Sequence, residues 1–264
     1  MSIINLIKEL QENPLFKDIV ISKANVRQAS YYASEKTKCQ KCVGIKSCAS
    51  KNLGMEPFFI DNQVVFNECK YQIEAKKQLL MNLDFASNYI SEANFKDFNL
   101  TTNEKTKCFN YVNSFLKNKK EKGLYIYGPY GTGKTYFLSA LAKELSNNNI
   151  SSVIAFMPDF SRKIKEFMND NVLEAKINLL KNVDVLMLDD LGGEMMTSWL
   201  RDEIIAPIIQ HRMVNNLPIF ITSNLDYPGL RNHFSQTRDD LDEIKSNRIL
   251  ERIMKMTKRV CFQE

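Results

Sequence analysis

A three-layer α/β domain with a parallel sheet, preceded by a small, mainly helical zinc-binding domain, is the fold class this sequence predicts. Three observations carry the prediction. Downstream of about residue 120, apolar runs of strand length alternate with segments of helical spacing. The loop Gly128-Pro129-Tyr130-Gly131-Thr132-Gly133-Lys134-Thr135 fills every fixed position of G-x-x-x-x-G-K-[ST] between one such run and one such segment. Four of the six cysteines, Cys39, Cys42, Cys48 and Cys69, gather far upstream of that loop. The boundary falls near residue 92, giving domains at 1–92 and 93–264.

The elements follow in order. Residues 1–16 read as an amphipathic segment, with Ile4, Leu6, Ile7 and Leu10 apolar among charges. Residues 71–80 are helical or linking. Residues 124–127 form a buried strand leading into the glycine loop. Residues 136–145 follow as a helix, with Phe137, Leu138, Leu141 and Leu145 at helical spacing. Residues 152–156 are a strand, and residues 158–168 a helix with Pro158 suited to its first turn. The run 183–188, apolar apart from Asp184, suits a strand buried on both faces. Residues 199–214 are helical, with a kink or break at Pro207. Residues 218–222 are a strand, 241–256 a helix, and 259–262 a last strand. No repeat occurs at any period.

The glycine loop is a phosphate cradle. Glycines permit backbone angles and close approaches that a Cβ would block. Loop N–H groups and a helix N-terminus face an anion, Lys134 supplies a positive charge for the β- and γ-phosphates, and the Thr135 hydroxyl is placed to hold Mg²⁺. With only nine glycines in 264 residues, three in this window are unlikely to be a chance turn. ATP with Mg²⁺ is the expected ligand.

Two later strands end in polar groups, and in parallel sheets ligands gather at the carboxyl ends of strands. The run 185–188 ends in Asp189-Asp190. There Asp189 approaches the metal through one of its waters, and Asp190 orients or deprotonates an attacking water. A solvated acidic turn is the alternative. The run 219–221 ends in Thr222-Ser223-Asn224, where Asn224 is either a ligand of the attacking water or γ-phosphate or a plain turn-former. Arg248 and Arg252, four apart on the last helix, share a face. They suit either charge stabilisation at a phosphoryl group or surface ion pairs.

The segments GPYGTGKT, VLMLDDLG, IFITSN and SNRILERI, in that order, resemble AAA+ ATPases, and among these the DnaI/DnaC group of helicase loaders. The likeness runs strongly from about residue 95 to the end and more weakly before it. The upstream cysteines are similar to the primosomal, DnaI-type branch. The resemblance implies a five-stranded AAA+ core in which the strand after the glycine loop lies away from the Asp189 strand. It implies Asp189 and Asp190 as the Walker B pair, Asn224 as the sensor-1 residue and Arg248 as an arginine finger reaching a neighbour's nucleotide. Arg252 would be a second sensor. Many AAA+ proteins carry Glu where Asp190 stands, so the shorter carboxylate implies a weak ATPase that works as a conformational switch. Also implied are a replicative DNA helicase as protein partner, contact with single-stranded DNA, self-association through the AAA+ domain, and a role in initiating or restarting DNA replication.

Cys39-Gln40-Lys41-Cys42 is a C-x-x-C knuckle, and Cys48 and Cys69 complete a set of four thiolates suited to a closed structural zinc site. Lys38, Lys41 and Lys46 flank them and would favour the thiolate form. Core cysteines or a redox pair are the alternatives. The DnaI pattern can use a histidine ligand, but His211 and His233 both lie elsewhere, which leaves Cys48 as the fourth. Cys108 and Cys261 read as buried or free thiols.

Bulk properties narrow the rest. A net charge of +5 permits nucleic acid without requiring it. No apolar run is long enough to span a bilayer, and the N-terminus has no signal-peptide layout, so a cytoplasmic location is expected. Three rivals stay open. They are a transposition-helper AAA+ ATPase, a phosphotransferase acting on a small molecule, and a zinc-bearing interaction protein with an inactive nucleotide site.

Overall fold

The computed structural model of the chain describes residues 2–86, 89–118, 121–167 and 172–263. The chain divides into two compact units, Met1–Gln78 and Leu79–Glu264.

The first unit is built from α1 (Ile3–Glu12), α2 (Val26–Gln40), a hairpin of β1 (Met55–Ile60) and β2 (Gln63–Glu68), and most of α3 (Lys70–Leu80). Ser2 caps α1 by accepting from Asn5 N–H. Leu10, Phe16, Ile21, Val26, Ala29 and Tyr32 form the core, with Phe59 and Val64 of the hairpin packed on it. Ile4 faces solvent. The unit is mainly helical, as expected, and the hairpin is its one addition to that reading. Asp61 and Asn62 both take positive φ, the two-residue turn whose twist matches paired antiparallel strands. Met1 lies outside the described residues.

The second unit holds β3 (Met81–Phe85), α4 (Asn103–Lys117), β4 (Gly123–Tyr127), α5 (Lys134–Asn147), β5 (Ser152–Phe156), α6 (Met157–Glu166), α7 (Val172–Asn182), β6 (Val185–Asp189), a π-helical turn (Leu200–Ile205), α8 (Ala206–Val214), β7 (Ile219–Ser223), α9 (Tyr227–Ser235), α10 (Glu243–Met256) and β8 (Thr257–Cys261). The sheet order is β3-β5-β6-β7-β4-β8, with every described pairing parallel. Five strands form the AAA+ core, and β3 adds a sixth at the edge.

Alternate residues of each strand enter opposite layers. Tyr125, Val153, Leu186, Leu188, Ile219 and Ile221 face α6, α7, α8, α9 and α10. Leu124, Ile126, Ile154, Val185, Met187 and Phe220 face α4 and α5. The apolar runs read as unbroken because both faces are buried.

Three sequence expectations change. The strand after the glycine loop, β5, lies directly beside the Asp189 strand β6 and pairs with it along its whole length. The strand separated from β6 is instead β4, which carries the loop, with β7 between them. The division of units falls upstream of residue 92, because residues 81–85 join the sheet and Ala93, Phe95 and Phe98 enter its core. The expected interruption of helix 199–214 at Pro207 is present: a π turn stands just before it, Pro207 sits in the first turn of α8, and the wider turn absorbs the missing N–H. The expected helix 158–168 ends at Glu166, with Met168 outside the described residues. Among the described residues no helix is long and apolar enough to cross a membrane.

Candidate nucleotide-binding site

The carboxyl ends of β4, β6 and β7 meet at one cavity of about 320 Å³, lined by the glycine loop, Lys134, Thr135, Asp189, Asp190, Thr222 and Asn224, with Ile90, Tyr136 and Phe156 at its margins. Geometry explains the glycine that opens the loop. At Gly128, φ is 143° and a Cβ would lie 2.0 Å from the carbonyl oxygen of Phe262, just after β8. Phe262 N–H donates to the Tyr127 carbonyl at 2.7 Å, so the C-terminal segment fixes where the loop begins. Gly133, with φ 91°, then starts α5.

Lys134 is buried and donates to the carbonyls of Gly128 at 2.8 Å and Pro129 at 2.7 Å. Burial pulls its pKa down, while the charges of Asp190 and Asp189 act against that fall. Tyr130, at the loop tip, is 80% exposed. Thr132 accepts no such exposure; its hydroxyl folds back to the Pro129 carbonyl at 3.0 Å.

Thr135 Oγ1 donates to the Asp189 carboxylate, 3.2 and 3.1 Å from its two oxygens. Thr222 Oγ1 also donates to Asp189 Oδ1. These oxygen groups from α5 and β6 are a donor set that fits a hard cation such as Mg²⁺.

Asp190 stands apart from Asp189. It follows the strand in the left-handed region, with φ 56°, which costs a non-glycine residue energy unless its surroundings hold it. Its N–H donates to Thr222 Oγ1 at 3.0 Å, and Leu191 N–H donates to the Thr222 carbonyl at 2.9 Å. Asn224 Nδ2 donates to Asp190 Oδ1 at 2.7 Å. Asn224 Oδ1 is buried with no hydrogen-bond partner among the described residues. Burial pushes the Asp190 pKa up, and the charges of Asp189 and Glu194 add to the rise.

Arg248 is exposed and Arg252 half-buried on α10, and neither lines the cavity. Thr222 and Glu194 are the residues missed by sequence reading. Thr222 read only as the end of an apolar strand, and its weak signal was a hydroxyl within a tract otherwise built of isoleucine and phenylalanine.

The cysteines behave differently from expectation. Among the described residues, no group of three or more His, Cys, Asp or Glu side chains is arranged to hold a metal ion, so the zinc site is not supported by this geometry. The thiols of Cys39 and Cys42 turn toward backbone carbonyls, 3.8 Å from Met55 O and 3.3 Å from Gly44 O. Even so, Cys39, Cys42, Cys48 and Cys69 line one cavity of about 290 Å³. The Cys39 pKa is raised, first by burial, then by Glu56 and by the other three thiols. The Lys38 ammonium pairs with Glu35 at 2.6 Å. Cys108 is buried, and burial pushes its pKa up to about 12. Cys261 is half-buried.

A parallel sheet with a glycine loop on one inner strand, a carboxylate beside Thr135 on another, and an asparagine at the end of the strand between them defines an ATP-binding protein of the AAA+ class. The sequence profile of the IstB-like ATP binding proteins matches residues 59–263, and the chain belongs to that family. It is 34% identical over 258 residues to the replicative helicase loader DnaI of Bacillus subtilis, covering 93% of this chain and 83% of the relative. A match of that extent takes in the cysteine segment, most of which lies ahead of the family profile. The crystal structure of DnaI superposes with a TM-score of 0.65 at 37% identity, covering 71% of this chain and all of that one. A primosome component from Streptococcus pyogenes superposes with a TM-score of 0.58 at 26% identity, over 72% of this chain and 96% of that one.

Proposed function

We propose that this protein is an ATP-dependent helicase loader that binds the replicative DNA helicase and delivers it to single-stranded DNA when replication starts or restarts. The observation that carries the reading is the match to DnaI across 93% of the chain, joined to a complete set of nucleotide-site groups. The extent of that match favours a loader over a transposition helper or a phosphotransferase.

At the site, the loop N–H groups and Lys134 bind the β- and γ-phosphates, and Thr135 with Asp189 holds Mg²⁺, whose charge supports phosphoryl transfer. Asp190 orients the attacking water. Asn224 holds Asp190 with its amide N–H and has an acceptor free for the same water. An aspartate reaches less far than a glutamate, which supports slow turnover and a switching role for ATP. Arg248, exposed on α10, acts in trans on the nucleotide of a second copy, and self-association brings the two together. Arg252 takes the second-sensor role. The protein works in the cytoplasm.

Four thiols around one cavity fit a structural zinc ion once each turns inward as thiolate. Cys39, Cys42, Cys48 and Cys69 would hold it, joining the end of α2 and the loop after it to the junction of β2 and α3. One zinc per chain is expected, and a Cys48→Ser protein that kept a full equivalent would show that Cys48 is not a ligand.

The loader reading is tested by co-purification with the replicative helicase of the same organism, with and without a non-hydrolysable ATP analogue. A complex whose yield changes with nucleotide is expected. No complex in either state would remove the reading.

A further inference from the structure

The turn after β6 holds a buried carboxylate that the nucleotide chemistry above does not use. The Glu194 side chain is wholly inaccessible to solvent. One of its oxygens accepts from Gly192 N–H at 2.9 Å. The other lies 2.8 Å from His233 Nε2 on α9. A carboxylate can only accept, so Nε2 is the protonated ring nitrogen in this pair. These two donors offset the cost of burying the charge.

The turn that Glu194 closes is the one that shapes Asp190. Gly193 N–H donates to the Asp190 carbonyl at 3.0 Å. A Cβ at Gly193 would stand 2.3 Å from Asp190 Oδ2, so the carboxylate rests directly on the glycine backbone. Asp190 is therefore fixed from two sides. Asn224 grips Oδ1, and the Gly192–Gly193 backbone supports Oδ2. Removing Glu194 would free Gly192 N–H, and the turn would lose the bond that sets where that support lies.

His233 links this turn to another part of the fold. Its helix, α9, starts three residues after Asn224, capped by Asp226, which accepts from Gly229 N–H at 2.9 Å. Ser246 Oγ on α10 donates to the Arg231 carbonyl of α9 at 2.6 Å. One hydrogen bond thus separates the support of Asp190 from the helix pair α9 and α10.

We infer that Glu194, held by His233, is a positioning residue for ATP hydrolysis: it closes the Gly192–Gly193 turn and so sets the carboxylate of Asp190 against the attacking water. The inference rests on the reading of the cavity as an ATP site, and it does not depend on a helicase partner. Glu194 is not among the residues that line the cavity, so its loss acts on the chemical step and spares binding.

The experiment uses the full chain with ATP and Mg²⁺. It compares wild type with Glu194→Gln, His233→Leu and His233→Gln, measuring kcat, KM and thermal stability. A parallel titration measures affinity for ADP·Mg²⁺ with and without aluminium fluoride, which mimics the transferring phosphoryl group. Glu194→Gln and His233→Leu are expected to lose roughly tenfold in kcat with KM within about twofold. They should lose a similar factor in the tightening caused by fluoride. His233→Gln keeps an N–H donor at the corresponding place and is expected to recover most of both. Unchanged kcat and fluoride tightening in Glu194→Gln and His233→Leu would overturn the inference. So would an equal loss in His233→Gln and His233→Leu that tracked thermal stability, since that is the pattern of a purely structural pair. A wild type that binds ATP without turnover would contradict the ATPase reading, and the fluoride titration would still decide for or against Glu194.

Discussion

Lys134 and Thr222 act on the nucleotide site in different ways, and single substitutions separate them. Lys134 is the cation inside the glycine loop, so Lys134→Ala removes a charge-assisted contact to phosphate worth about 2–3 kcal/mol. ATP affinity should fall roughly 100-fold by equilibrium titration, with little change in folding stability. Thr222 bonds Asp189 and the Asp190 N–H at once. Thr222→Val keeps the shape and leaves that N–H unpaired. Chemical denaturation should show a loss of ~1–3 kcal/mol, and turnover should fall with it. The loop and the two aspartates were legible because their chemistry is written in consecutive residues. Thr222 and Glu194 were not, because their importance comes from what the sheet and α9 bring beside them. Arg248 was legible only as a surface residue or as a partner for a second subunit, and in the single chain it is exposed and does not line the cavity.

Among the elements, the connection from α9 to α10 is held by charge. Arg201, fully buried in the π turn, donates to Asp202 at 2.7 Å, to Asp240 at 2.9 Å and to the Phe234 carbonyl at 3.1 Å. Arg201→Met should destabilise the protein at the lower end of ~3–5 kcal/mol, because Asp202 and Asp240 keep access to water. Acid should loosen the same region. The Arg201 hydrogen bond lowers the Asp202 pKa, Ser198 hydrogen bonds take Asp239 down to about 2, and the Lys245 N–H lowers Asp242. A carboxylate whose folded pKa is depressed contributes stability above its unfolded pKa and loses it as pH falls through the folded value. Amide exchange at residues 236–242 should therefore accelerate as pH drops from about 4 toward 2, after correction for intrinsic exchange. Strands β4 to β8 and the helices α5, α6 and α10 were readable from apolar spacing, whereas α2, α4, α7 and α9 were not read as helices. The π turn was hidden because Pro207 signals a fault in the helix without saying how the chain relieves it. The β1–β2 hairpin was missed because its turn is Asp61-Asn62 without glycine, and both residues accept positive φ.

At the scale of the whole molecule, two units of different chemistry share one chain. The second carries the ATP-binding site, and the first carries four cysteines around a cavity and a small core of its own. The fold class of the second unit followed from the sequence because both faces of its sheet are buried. The place of β3 did not, since residues 81–85 become a strand only by pairing with β5. The proposed function requires that ATP bound at Lys134 govern delivery of a helicase to DNA. The most direct measurement is the amount of replicative helicase retained on circular single-stranded DNA after a wash, in the presence of this protein and ATP. Retention well above helicase alone is expected, and its loss with Lys134→Ala. Retention that is the same without the protein, or undiminished by Lys134→Ala, would contradict it.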